Sequence, residues 1–360
     1  VNLFTPTIKE PDHPLEQRLM TLLCRVSGLD HGAVFKLVRR DLDWGYIFRT
    51  AHPLYAVPLI YFHLKEQIPD GIQGTPLREV FKREYHLSLA NNLRLLHEFD
   101  RITALFSEHG IPSIALKGTQ LIRELYPNPA IRPMFDIDLL VKREDLKGAH
   151  EILRNAGYRT VGGKPPRPDH GYYYDAPYRK ESGSPVLLEL HWDLGEKNRY
   201  RINVTPIWNR AVRSNQGPYL EMDDDDTFLY LALHFFKHYL FKRLIWICDL
   251  HEWTVRKAIH WERVVERARS QSIATFLLYT VILLEDFYQA PLPVEKDRII
   301  RVGPIRKKIL DGYLRRYPLF RSLNRESYIR QRLFAFSCID RMPDRMRFTR
   351  DALRRDRRGK

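Results

Sequence analysis

A chain of 360 residues, 44% hydrophobic and 29% charged, can bury a substantial core and form more than one lobe, as a soluble globular protein does. The longest apolar run, Ala274 to Leu284, is too short to cross a bilayer, which excludes a membrane span, and the first residues lack the basic-then-apolar pattern of a leader. Cys24, Cys248 and Cys338 lie far apart without metal spacing and suggest reduced thiols in a cytoplasmic protein, while the net charge of +15 points to an anionic substrate such as a nucleotide, or to a nucleic-acid or acidic protein partner.

Residues from about 14 to 110 read as helices. Leu15, Leu19, Leu22, Leu23 and Val26 recur at helical spacing, and Gly28 and Gly32 punctuate. Tyr55 to Glu66 is a second apolar-striped stretch, ended by Pro69-Asp70-Gly71. A long helix follows from about Leu77 to His109, with Leu87, Leu89, Leu93, Leu96, Phe99, Ile102, Leu105 and Phe106 giving it an apolar face. These helices read as a packing lobe over 1–110, without chemistry of their own.

Gly110 stops the long helix, and Ile111 to Leu116 is the first core strand. Lys117-Gly118-Thr119 then turns the chain into a helix over Gln120 to Tyr126. A glycine at a strand-to-helix turn lets backbone N–H groups approach a phosphate, and a helix N-terminus favours anions. Thr119 either caps the helix or bonds a phosphate oxygen, and Lys117 adds charge. The loop Pro127 to Pro133 is rigid and carries Arg132 four residues before Asp136. That arginine either grips a triphosphate as a fork of donors or bridges to a site carboxylate.

Phe135 to Val141 reads as a buried strand, apolar except for Asp136 and Asp138. Strand side chains alternate faces, so the two carboxylates point the same way, about 6–7 Å apart along the chain. They repel unless a cation lies between them, or unless the strand end is solvated. Mg²⁺ is the economical cation, because it takes oxygen ligands and usually brings phosphates. A helix from Asp145 to Asn155 ends at Gly157. Tyr172 to Lys180, the turn Ser182-Gly183-Ser184-Pro185 and Val186 to Trp192 then make a hairpin, with Glu189 the one carboxylate on its second strand. The tyrosines either stack on a base or pack within the sheet.

From about 206 to 340 the chain is helical again. Asp223-Asp224-Asp225-Asp226 opens a helix whose N-terminus suits negative charge, and Leu229, Leu233, Phe236 and Leu240 form its core face. His234 and His238, four apart, share a face. They lack the glutamate and the third ligand of a zinc site, and read as a buried pair or as cleft residues. Asp249, inside an apolar helix, wants a partner such as Arg243, Lys242 or one of these histidines. From Asp340 to Lys360, nine Lys/Arg against four Asp make a basic tail. It reads as a solvated helix; RNA binding is the sharper alternative, without an aromatic stacking motif to support it.

The order strand, Gly-Thr turn, helix, Asp-x-Asp strand, helix, Glu strand resembles the nucleotidyltransferase core of the DNA polymerase β superfamily. The fuller string IPSIALKGTQLIRELYP…IRPMFDIDLLV…GY…LELHW resembles one branch, the uncharacterised nucleotidyltransferase family often found in bacterial biosynthetic gene clusters. The likeness is strong over about residues 85–195. Gly118 and Asp136 are 18 positions apart, longer than the usual superfamily gap.

The resemblance implies an α+β fold, mostly α. A small mixed-sheet core over 111–195 would be flanked by helical lobes at 1–110 and 206–340, with a basic tail at 341–360. It implies transfer of a nucleoside monophosphate from an NTP, ATP first among them, to a hydroxyl- or phosphate-bearing acceptor, a small molecule or peptide ahead of RNA. Asp136, Asp138 and Glu189 would hold two Mg²⁺ or Mn²⁺ ions and carry the catalysis. Lys117, Gly118, Thr119 and Arg132 would bind the nucleotide's phosphates. His234, His238, Arg243 and Asp249 match polar positions of the family and would line the cleft. The alternative is a degenerate transferase that binds a nucleotide, RNA or protein.

Overall fold

The computed structural model describes residues 13–65, 76–163, 166, 168, 173–180, 185–197, 199–238, 244–316 and 328–358. Tyr172, the turn at 182–184, Leu240, Lys242 and Arg243 lie outside them.

The chain opens with α1 (Pro14–Leu23), α2 (His31–Val38), α3 (Trp44–Ala51), α4 (Val57–Leu64) and the 33-residue α5 (Pro76–Glu108). The sheet region follows as β1 (Ser113–Leu116), α6 (Gly118–Leu125), β2 (Asp136–Val141), α7 (Leu146–Asn155), β3 (Tyr158–Thr160), β4 (Asp175–Lys180), β5 (Leu187–His191), α8 (Val204–Arg210), β6 (Val212–Arg213) and β7 (Leu220–Glu221). It closes with α9 (Asp224–Lys237), α10 (Leu244–Arg256), α11 (Trp261–Ser270), α12 (Ala274–Tyr288), α13 (Lys296–Ile299), α14 (Pro304–Arg316), α15 (Tyr328–Cys338) and α16 (Met342–Arg358). The fold is α+β and mostly α, as expected.

One mixed sheet runs in the order β3-β4-β5-β2-β1-β7-β6. β2 is antiparallel to β1 and parallel to β5, and β4 and β5 form the expected hairpin. The sheet continues past residue 195, because β7 pairs parallel with β1. Alternation decides which way each residue points. Ile137, Leu139 and Val141 pack toward α5 and α7, while Ile114, Leu116 and Leu140 belong to the larger core shared with the helices. Asp136 and Asp138 have the parity of Leu140 and so face those helices.

α5 buries Phe81, Tyr85, Ser88, Asn92, Leu95, Phe99, Ile102 and Phe106, alternately four and three residues apart. Each large apolar member stabilises by about 1.5–3 kcal/mol on burial. Leu87 and Leu93, expected in the apolar face, fall off this line and are 56% and 52% exposed. Gly110 takes a φ of 71° and ends the helix run.

The helices before and after the sheet share one core. Glu252 of α10 is fully buried and accepts from the backbone N–H groups of Val26 and Ser27 and from the Ser27 hydroxyl. The Cys24 thiol donates to the Leu244 carbonyl at 3.3 Å, and the Tyr288 hydroxyl donates to the Cys24 carbonyl. All three cysteines are buried and free. The aspartate run caps α9 as expected: Asp223 Oδ1 accepts from the Asp226 N–H at 2.7 Å, and Arg210, Arg263 and Arg267 pair with Asp226, Asp225 and Asp223. The basic end of the chain is helical in α16. No described helix is long and apolar enough to cross a membrane.

Glu98 of α5 fastens this helix to β3 and β4. It accepts from Arg101 at 2.7 Å, Tyr158 at 2.9 Å and Lys180 at 3.0 Å. Burial pushes its carboxyl up, but these hydrogen bonds outweigh burial and hold the pKa at about 2 against an ordinary 4.5. A carboxylate depressed on folding contributes stability above its unfolded pKa and loses it as pH falls through the folded one. Stability to denaturant should therefore drop between pH 4.5 and about 2. Glu98→Gln should be weaker at neutral pH and lose less on acidification. Parallel pH curves for the two proteins would contradict this role.

Candidate active site

Leu116, the last residue of β1, is the register partner of Asp138, and Asp138 is also the partner of Glu189 on β5. The two carboxylates thus sit side by side at the centre of the sheet. Lys117 follows Leu116 with φ 47° and ψ −115°, a conformation that strains a residue bearing a side chain. This turn starts α6 and swings the ammonium back over the sheet. Lys117 Nζ lies 2.7 Å from Asp138 Oδ1 and 4.0 Å from Glu189 Oε2.

His191, two residues beyond Glu189 on the same face, completes the arrangement. Its Nε2 is 3.0 Å from Asp138 Oδ1 and 3.6 Å from Glu189 Oε2. Asp138 is only 2% exposed. Burial raises its pKa, but Lys117 and His191 outweigh burial and hold the carboxyl well below the usual carboxylate range. Burial lowers His191 in turn, and the hydrogen bonds to Asp138 and Glu189 win and push it up to about 9. In the protein alone, Lys117 and His191 compensate the Asp138–Glu189 pair.

A cavity of about 320 Å³ opens on this cluster. Asp136, Asp138 and Glu189 line it together with Lys117, Gly118 and Arg132, so the expected acids and most of the expected phosphate contacts share one wall. Thr119 is buried in α6 away from that wall, and its hydroxyl has no hydrogen-bond partner among the described residues. Lys117, not Thr119, is the N-cap residue of α6, and no side chain caps the helix.

The long Gly118–Asp136 spacing is used by a loop that folds back over the start of α6. A Cβ on Gly118 would stand 2.8 Å from Met134 Sδ and 3.3 Å from Arg132 Nη1, so any side chain here forces Met134 to move. Asn91 and Asn92 of α5 hold the loop. Asn92 donates to the Arg132 carbonyl at 2.8 Å and accepts from the Met134 N–H at 3.0 Å, while Asn91 donates to the Met134 carbonyl at 2.7 Å.

Arg132 pairs with neither of the strand aspartates. Its Nε and Nη2 donate to the two oxygens of Asp249 at 2.7 and 2.8 Å, and the Tyr126 hydroxyl adds a third hydrogen bond at 2.7 Å. Asp249 therefore lies behind the wall, and among the described residues its hydrogen-bond partners are Arg132 and Tyr126; Lys242 lies outside them. His234 and His238 do line the cavity, against Trp246. Their rings are 4.8 Å apart, and His234 meets Trp246 at 4.6 Å. Arg243 is outside the described residues.

Among the ionisable and hydroxyl-bearing residues of the cavity, His191, Asp175, Tyr230 and Lys237 escaped the sequence reading, and Tyr174 was read there as stacking or packing. The signal for His191 was its period-two relation to Glu189. Tyr230, Leu233, His234 and Lys237 all line the cavity and are spaced as one helix face of α9. Lys237 Nζ sits 3.8 Å over the Tyr174 ring and 3.6 Å from Glu196, and burial lowers its pKa.

The model of an uncharacterised nucleotidyltransferase family matches residues 40–289. The chain belongs to that family. No curated protein matches it. The match takes in the whole cavity and ends just after α12, before α13 to α16. Membership carries a general role in nucleotidyl transfer and an NTP as substrate. The carboxylate pair, with an ammonium already lodged against it, fits a divalent cation of the kind such enzymes use.

The Arg132–Asp249 pair and the histidines should respond oppositely to mutation. Asp249→Ala leaves a buried guanidinium without its partner, which costs about 3–5 kcal/mol. His238→Ala removes a half-buried cavity side chain and should stay within about 1 kcal/mol. Equilibrium denaturant unfolding of both variants distinguishes them, and a loss of several kcal/mol in the histidine variant would make it part of a structural network.

Proposed function

We propose that the protein moves a nucleoside monophosphate from an NTP, ATP being the first to test, to a hydroxyl- or phosphate-bearing acceptor by a two-metal mechanism. A small molecule or peptide suits the cavity better than RNA, since its volume of about 320 Å³ is that of a small-molecule site. The observation that carries the reading is the register pair Asp138–Glu189 at the start of α6, with Asp136 on the same wall.

Bound Mg²⁺ or Mn²⁺ would be held by Asp136, Asp138 and Glu189, and would supply charge neutralisation and alignment for an in-line displacement. The protein's own groups do the rest. The N-terminus of α6, at Gly118, offers backbone N–H groups and the positive end of the helix to the β- and γ-phosphates. Lys117 and Arg132 neutralise phosphate charge, and the bond to Asp249 fixes the guanidinium's orientation. Glu189 Oε2 accepts the acceptor's proton. The α9 and α10 side of the cavity, with His234, His238 and Trp246, receives the acceptor. Pyrophosphate leaves.

Label transfer from each labelled NTP, with Mg²⁺ and extracts of the host, tests the activity directly. Asp138→Asn keeps the volume but leaves Lys117 and His191 without their shared carboxylate, so stability should fall by about 3–5 kcal/mol and metal-dependent NTP binding by the folded protein should fall as well. An asparagine variant with full Mg²⁺-dependent affinity would favour a binding module over an enzyme. Gly118→Ala places a methyl against Met134 and Arg132 at the phosphate end. Triphosphate affinity should therefore fall more than nucleoside affinity, and equal losses would indicate general damage to the fold.

A further inference from the structure

We propose that His191 is itself a metal ligand, and that its nitrogen makes the site prefer Mn²⁺ over Mg²⁺. The inference rests on the reading of this cavity as a divalent-ion site and names which ion it is built for.

The placement is set by the sheet. Asp138 and Glu189 are register partners, and His191 follows two residues on, with the same parity, opposite Leu140. One ligand atom from each of Asp138, Glu189 and His191 lies within 4.8 Å of the other two. The Nε2 separations are 3.0 Å to Asp138 Oδ1 and 3.6 Å to Glu189 Oε2. Donors bound at about 2.0–2.1 Å to a six-coordinate ion stand about 3 Å apart when adjacent and about 4 Å apart when opposite. The three side chains therefore come within about 1 Å of the spacing needed to share an ion.

The second ring nitrogen has a carboxylate near it but outside hydrogen-bond range. A ligating histidine usually gives its other N–H to a carboxylate, which fixes the ring. His191 is 2% exposed, and its Nδ1 is buried without a hydrogen-bond partner among the described residues, 3.9 Å from Asp175 Oδ2. Tyr174 stacks on the ring at 6.0 Å. The bland explanation is that His191 only compensates Asp138. Yet Lys117 Nζ already sits 2.7 Å from that same Oδ1. A buried ammonium and a buried imidazole converge on one oxygen, where a single ion would replace both contacts.

Nitrogen in the donor set decides the metal. Mg²⁺ prefers oxygen ligands in a strict octahedron and takes imidazole poorly. Mn²⁺ has the same charge and shares the carboxylate preference of Mg²⁺, but as a transition ion it accepts an imidazole beside carboxylates, although it stands at the weak end of its series.

The full chain without nucleotide, loaded with Mn²⁺ and examined by pulsed electron paramagnetic resonance, should show ¹⁴N coupling to the bound ion. Labelling the protein's histidines with ¹⁵N should replace that coupling with a ¹⁵N one. Competition with Mg²⁺ should favour Mn²⁺, and in His191→Gln that preference should fall by about tenfold or more, the scale seen when even an outer-shell partner is lost. Absence of nitrogen coupling in the parent protein overturns the proposal whether or not the variant folds, as does an unchanged Mn²⁺-to-Mg²⁺ ratio in a folded variant. Nitrogen-coupled Mn²⁺ in a protein that transfers no nucleotide leaves the ligand assignment standing and removes the activity. Transfer with bound Mn²⁺ lacking nitrogen coupling does the reverse.

Discussion

A carboxylate in the middle of a sheet is the constraint that the rest of this molecule satisfies. Asp138 is flanked by Leu116 on one strand and Glu189 on the other and is nearly sealed from solvent. Left bare, such a charge would neutralise or unfold its surroundings. The chain answers with a strained backbone at Lys117, which returns an ammonium to the sheet, and with an imidazole two residues beyond the second acid. The strain is stored where it aims a charge, the usual reason for its survival. An electrostatic demand thus dictates a turn, the start of a helix and the mouth of the cavity.

A second ion pair ties that centre to the helices. Arg132 belongs to the loop before β2 and Asp249 to α10, so their bidentate contact joins sheet and helical body through a buried charge. Specificity of orientation is its main product, because a buried pair adds little net stability over apolar residues of the same size. Asn92 supplies the complementary grip from α5. Between them the loop cannot drift, and the guanidinium and the helix start present one fixed face.

Much of the site was legible because short-range rules carry it. Asp136 and Asp138 share a face by the period of a strand, and Lys117-Gly118 announces a strand-to-helix turn. The same rule would have found His191 from Glu189, since both sit in one strand two residues apart. What stayed hidden depends on distant partners. Arg132 and Asp249 are 117 residues apart, and nothing local says that they meet. Leu87 and Leu93 looked like core because α5 carries leucines on several faces, whereas its buried line runs through Ser88 and Asn92. β6 and β7 have two residues each, too few to show a period.

The long α5 ties these features together mechanically. At 33 residues it runs about 50 Å. Phe81 and Tyr85 near its start belong to the core of the helical body, and Leu95, Phe99, Ile102 and Phe106 to the core beneath the sheet. The asparagines that hold the Arg132 loop stand between those two anchorages. A strut anchored in both cores resists a wide clamshell motion between the helices and the sheet, so access to the cavity falls to the side chains at its rim.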